Sequence, residues 1–139
     1  MIEREINYVE AFLMDEYDVY VDFAEDGLDE YWFDPSNPDD TGVISINTRS
    51  SSQTQLVVLL HEAGHIIFRH KNDKHASEID RKTLSGRLEV VHEEIMAWYE
   101  GRNLSKRLGI EIDKKIWQQN YCSSLIKYIK WVLDETEEN

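Results

Sequence analysis

Leu56-Val57-Val58-Leu59-Leu60-His61-Glu62-Ala63-Gly64-His65-Ile66-Ile67-Phe68 is the stretch on which the reading of this chain turns. Wound at about 100° per residue, it places His61 and His65 one turn apart on one helical face, so both imidazoles can reach a single metal ion. Glu62 lies beside them. Two histidines at this spacing suit Zn²⁺, and the carboxylate next to them suits activation of a water held there. Val58 and Phe68 fall near the histidine face and are expected to line the site with apolar surface. Leu56, Leu59, Leu60, Ile66 and Ile67 spread over the remainder, so the helix, expected from about Gln53 to Arg69 with Ser50, Ser51 or Ser52 as its cap, should be largely buried.

Working outward toward the N-terminus, Val43 to Asn47 reads as a strand. Before it, Asp34 to Gly42 holds both prolines of the chain and reads as a plain loop. Its acids lack the regular spacing of a calcium loop. Glu30 to Phe33 suits a short strand. Tyr17 to Ala24 alternates Tyr17, Val19, Val21 and Phe23 with polar positions, as a half-buried strand does, and Asp26-Gly27 marks a turn after it. Ile2, Ile6, Val9 and Leu13 recur at helical spacing and predict an opening amphipathic helix.

Toward the C-terminus, Lys71 to Lys82 is polar and weakly periodic, a candidate mobile loop beside the site. A second long helix is expected from about Arg87 to Leu108, with Leu88, Val91, Ile95 and Trp98 on one stripe and Val90, Ala97, Gly101, Leu104 and Leu108 on its neighbour. Gly109 is a fitting stop. Asp113 caps a last helix whose Trp117, Tyr121, Leu125, Tyr128 and Val132 form an aromatic-rich stripe, read as core. Residues 134–139 are expected to be a disordered tail. The fold class is α+β: a single compact domain spanning 1–139, with a small three-stranded sheet, the helix that carries the histidine pair, and further helices.

A catalytic zinc site generally takes a third protein ligand and keeps its fourth position for water. His70, His75, Asp80, Glu89, His92, Glu93, Glu94 and Glu100 are the candidates. In the helix from Arg87, the apolar stripes centre on Glu94, while Glu93 sits at the margin and His92 points to the opposite side. His70 is half a turn from the histidine pair and belongs at the surface. A carboxylate in the middle of a buried face is costly unless neutralised, and a dication does so well. Glu94 is therefore the expected third ligand, with Glu93 in reserve. Ala97 and Gly101 are small enough to let this helix approach the histidine helix closely.

Val43 to Asn47, Leu59-Leu60-His61-Glu62-Ala63-Gly64-His65 and Glu93-Glu94-Ile95-Met96-Ala97-Trp98 together resemble the small gluzincin peptidases of the ImmA/IrrE-like group, common in bacteria, phages and mobile elements. The resemblance runs from about Val43 to Leu108. It implies zinc on His61, His65 and Glu94, Glu62 as general base, a small sheet over the active-site helix, and cleavage of a regulatory protein such as a repressor. The longer metzincin motif is excluded, because Phe68 stands where its glycine would be and Lys71 where its third histidine would be.

The expected activity is metal-assisted hydrolysis of a peptide bond in a protein or peptide substrate, an endopeptidase reaction. Val43 to Asn47, as a sheet edge, would hold an extended substrate by strand addition. Tyr99, His75 and Tyr31 are the candidates for stabilising the oxyanion. The alternative is a zincin-fold binding protein that sequesters a regulator or host factor without proteolysis, which the intact Glu62 disfavours. A purely structural zinc is disfavoured by a composition of 41% hydrophobic residues, enough to build a core without metal.

A net charge of -13, with 15 basic against 28 acidic residues, argues against nucleic acid as a partner and fits a soluble domain. The charged start Met1-Ile2-Glu3-Arg4-Glu5 signals neither secretion nor a membrane span. The lone cysteine, Cys122, fits a reducing compartment, so a cytoplasmic location is expected.

Overall fold

A computed structural model describes residues 2–72 and 79–137. The fold is α+β, with four helices and one small mixed sheet among the described residues, as expected. Helix α1 (Ile2–Tyr17) buries Ile6, Val9, Phe12 and Leu13, the face set by its helical periodicity. It keeps Tyr17, so the alternating stretch enters the sheet later than expected, as β1 (Tyr20–Ala24). Asp18 makes the corner between them with φ 55°, a left-handed conformation that a short polar side chain tolerates.

Strand β2 (Glu30–Trp32) and strand β3 (Val43–Asn47) complete the sheet in the order β1-β3-β2, with β1 parallel and β2 antiparallel to β3. Val43 to Asn47 is therefore the central strand and not an edge. Both of its hydrogen-bonding sides are taken, which removes it as a site for strand addition. The reason is a non-local pairing: the turn after β1 and the Asp34 to Gly42 loop carry β2 around to the far side. In that loop Asp34, Asn37 and Asp40 accept hydrogen bonds from nearby backbone N–H groups, as side chains in turns do. Ile44 and Ile46 alternate into the core and meet Leu56, Leu59 and Leu60 of the next helix.

Helix α2 (Ser52–Asn72) is capped by Ser51, whose Oγ accepts from the Thr54 N–H at 3.2 Å. It runs three residues past Arg69, into the first part of the expected loop; residues 73–78, including His75, lie outside the described residues. Helix α3 (Leu84–Arg107) starts earlier than expected because Thr83 caps it, accepting from the Gly86 N–H at 2.9 Å. Arg87 is then interior and donates to the carbonyls of Arg81 and Lys82. Of the two α3 stripes, the one through Ala97, Gly101 and Leu104 is buried, whereas Leu88 and Ile95 of the other are exposed. Gly109, at φ 70°, ends the helix: its N–H reaches the Lys106 carbonyl and that of Ile110 reaches Ser105.

Helix α4 (Lys114–Glu137) is capped by Asp113, which accepts from the N–H groups of Lys115 and Ile116. Its aromatic stripe is half-buried, not a closed core; only Val132 of that stripe is buried. No described helix is long and apolar enough to cross a membrane.

Helices α2 and α3 pack backbone against backbone. A Cβ on Gly64 would sit 1.8 Å from the Ala97 carbonyl oxygen, and one on Gly101 would sit 2.4 Å from that of Leu60. Gly64→Ala should therefore force the helices apart and cost about 3 kcal/mol despite the better helix propensity of alanine. Gly109→Ala, which meets only an unfavourable φ, should cost about 1 kcal/mol. Urea denaturation of the two variants checks this; equal losses would contradict the close-approach account.

Candidate metal centre

His61 and His65 project from the middle of α2 toward α3, and Glu94 projects back between them. Glu94 Oε1 lies 2.7 Å from His61 Nε2, and Glu94 Oε2 lies 3.1 Å from His65 Nε2. One donor atom from each of the three residues falls within 4.8 Å of the others, the only such group of three or more His, Cys, Asp or Glu side chains found among the described residues. The chain thus brings together the three side chains singled out in its sequence.

The donors converge without fully satisfying one another. His61 Nε2 is buried and, although Glu94 Oε1 is close, it has no hydrogen-bond partner of acceptable alignment. A buried imidazole nitrogen left in that state is expensive, and a cation held among the donors would satisfy it. Two imidazoles and one carboxylate are also a donor set that zinc accepts. The residues fit the ion.

Each donor is held from behind. The indole of Trp98 stacks on the His61 ring at 4.0 Å between centroids and 10° between planes. Trp117 and Tyr121 of α4 pack edge-on against that indole, so part of the aromatic stripe read as core instead braces a histidine. Glu93 sits on the opposite side of His65 from Glu94, its Oε2 2.9 Å from His65 Nδ1, and Arg69 holds the same oxygen through Nε at 3.1 Å and Nη2 at 2.9 Å. A carboxylate on Nδ1 fixes the tautomer that turns Nε2 toward the centre. Glu93 is placed to orient a donor, not to be one.

Glu62 is buried beside the pair, and its burial raises the pKa of its carboxyl in spite of the two histidines nearby. Burial disfavours a charged His65, but its hydrogen bonds to Glu93 and Glu94 outweigh this and raise it to about 10. Burial likewise opposes ionisation of Glu94, yet the contacts with His61 and His65 hold it well below the usual carboxylate range. Three carboxylates, Glu62, Glu93 and Glu94, gather here, with Arg69 bonded to Glu93 and Lys127 on the wall of the cleft, so acidic groups outnumber the permanent cations.

A cleft of about 370 Å³ opens onto this group. One wall is the turn and edge strand at Leu28, Asp29 and Glu30; the other is α4 through Asn120, Ser123, Lys127 and Tyr128, with Val58 and Trp98 between. Phe68, expected at the site, is instead buried against the His92 ring. The remaining candidates lie elsewhere: His70 is exposed beside Tyr17, Asp80, Glu89 and His92 are exposed, and Glu100 pairs with Lys71. Tyr31 donates its hydroxyl to the Thr41 carbonyl and Tyr99 is exposed; neither lines the cleft. Tyr128 does, with burial the main cause of a pKa pushed up to about 12. A serine and a tyrosine one turn apart at the edge of the aromatic stripe were the available sign, but that pattern alone does not say which way α4 faces.

The sequence pattern of the IrrE N-terminal-like domain, Peptidase_M78, matches residues 14–99, more than half of the chain. No curated protein and no solved structure matches it significantly.

Glu93 gives a pH test. Burial works against its charge, but His65 and Arg69 outweigh this and lower its pKa from 4.5 to about 2. The stabilisation is complete above the unfolded value and disappears as pH falls through the folded one. Glu93→Gln should thus be less stable than wild type by about 2 kcal/mol at pH 6, after allowance for solvent screening, with the gap closing toward pH 2. Chemical denaturation of the metal-free proteins across this range measures it; a pH-independent gap would exclude an ionic role.

Proposed function

The chain belongs to the IrrE N-terminal-like, Peptidase_M78 family, and from that premise we propose that it is a zinc-dependent peptidase that hydrolyses an internal peptide bond of a protein substrate. The observation that carries this reading is the convergence of His61, His65 and Glu94 on one point, with Glu62 beside them at the floor of an open cleft. His61, His65 and Glu94 would hold the zinc. The ion supplies Lewis acidity toward a water and the scissile carbonyl.

The chain's own groups do the rest. Glu62 takes a proton from the attacking water as its oxygen bonds the carbonyl carbon, then delivers that proton to the amine as the C–N bond breaks. Its burial favours the first half of this exchange, because a carboxylate with a raised pKa holds a proton more readily than a solvated one. Trp98 and Glu93 keep the imidazoles in orientation. β2 is the edge strand on the cleft side, so an extended substrate is read as adding along Glu30 to Trp32, in place of Val43 to Asn47.

Glu62→Gln should retain stoichiometric zinc and lose at least about a hundredfold in peptide hydrolysis, whereas His61→Ala should lose the metal itself. Metal analysis beside a peptide-library cleavage assay measures both. A wild-type protein that takes up no zinc on titration would refute the reading.

Zinc binding should also release protons. With His65 raised to about 10, the metal-free ring is protonated at pH 7, and an ion bound at Nε2 must displace that proton. Calorimetric titration in buffers of different ionisation enthalpy should show release of about one proton, with apparent affinity rising with pH.

A further inference from the structure

The matched family region ends at residue 99, yet the centre does not. Helix α4, which starts at Lys114, sends the Ser124 hydroxyl to Glu94 and sets that of Tyr128 in the same cleft. Ser124 Oγ donates to Glu94 Oε1 at 2.7 Å, and Tyr128, one turn further along, lines the same cleft beside this carboxylate. From within α3, Trp98 Nε1 contributes a longer bond of 3.3 Å to the same oxygen as Ser124.

These bonds matter because of what a glutamate is. Its terminal torsion is broad and roughly two-fold, so a carboxylate facing two imidazoles is free to rock between presentations of one oxygen and of both. Donors that bond the carboxylate from outside the histidine pair restrict that freedom. Serine in a helix commonly turns its hydroxyl back to its own backbone; Ser124 instead directs it across to the neighbouring helix. The other two donors have supports of their own already described: Trp98 stacks on His61, and Glu93 with Arg69 holds His65. Glu94 has α4.

We propose that Ser124 and Tyr128 are positioning residues for Glu94, so that α4, outside the matched family region, forms part of the zinc site and not only one wall of the cleft. The inference rests on the metal reading above. It predicts that the hydroxyls of α4 act on zinc affinity itself, before any substrate is present.

The test is zinc affinity of the full chain, measured by competition with a chromophoric chelator, together with the melting temperature of each metal-free protein. Ser124→Ala should weaken zinc binding about tenfold and Ser124→Ala with Tyr128→Phe should approach about a hundredfold, the range for loss of groups that orient a ligand. Ser124→Thr, which keeps the hydroxyl, should restore affinity to within a few-fold of wild type. Ile126→Ala, at an exposed position of the same helix, should leave affinity unchanged.

If the double variant binds zinc within about twofold of wild type, the proposal is wrong, and a fall in its metal-free melting temperature alongside would identify the two hydroxyls as a tether between helices. Loss of zinc affinity with metal-free stability retained supports positioning. A wild-type chain that binds no zinc would overturn this inference together with the reading it rests on, whereas a zinc-binding wild type with indifferent variants overturns this inference alone.

Discussion

Everything at the centre depends on how closely α2 and α3 approach. Two glycines, Gly64 on one helix and Gly101 on the other, let backbone meet backbone where any Cβ would collide with a carbonyl oxygen. That contact sets the distance at which Glu94 of α3 reaches Nε2 of both histidines on α2. A helix spacing larger by even a methyl group would separate the carboxylate from the imidazoles, because interiors are packed too densely for the side chains to follow independently. The small residues of this seam therefore serve the site as much as the stability of the fold.

Close packing creates an electrostatic demand. Glu62, Glu93 and Glu94 are all buried near the same point, and Arg69 pairs with the second of them. Left alone, the group recruits a proton on His65; its chemistry is also that of a cation site with two nitrogen donors and one oxygen donor. The surrounding residues divide the work of orientation: aromatic stacking for His61, an ionic pair for His65, and the Ser124 hydroxyl of α4 for Glu94. Three different interactions thus hold three donors against one another's charge, and the cleft above them stays open between β2 and α4.

Much of this was legible residue by residue. Helix α1 and the buried face of α2 follow from helical spacing, and the ends of the helices from Ser51, Asp113 and Gly109, because periodicity and capping act within a turn or two of the chain. Glu94 stood out because a carboxylate at the centre of an apolar helical face needs a compensating charge. The failures are of a different kind. Val43 to Asn47 has the composition of a strand, but nothing local says that β1 and β2 will flank it on both sides. Leu88 and Ile95 share a stripe with Trp98, yet α4 covers only the Trp98 end of the contact and leaves the other two exposed. Phe68 lies close to the histidine face on a helical projection but belongs to a neighbouring contact with His92.

The sequence by itself determined the chemical character of the site: two histidines and a glutamate at fixed spacing on one helix, and a buried glutamate on the next. These follow from short-range geometry, since 3.6 residues per turn fixes which side chains share a face. Only the tertiary structure decided that β3 is central, that β2 and α4 form the walls of the cleft, that Glu93 serves His65, and that Ser124 meets Glu94 with Tyr128 in the same cleft. Those facts are distances between elements far apart along the chain, set by how all the buried faces pack at once, and no local pattern carries them.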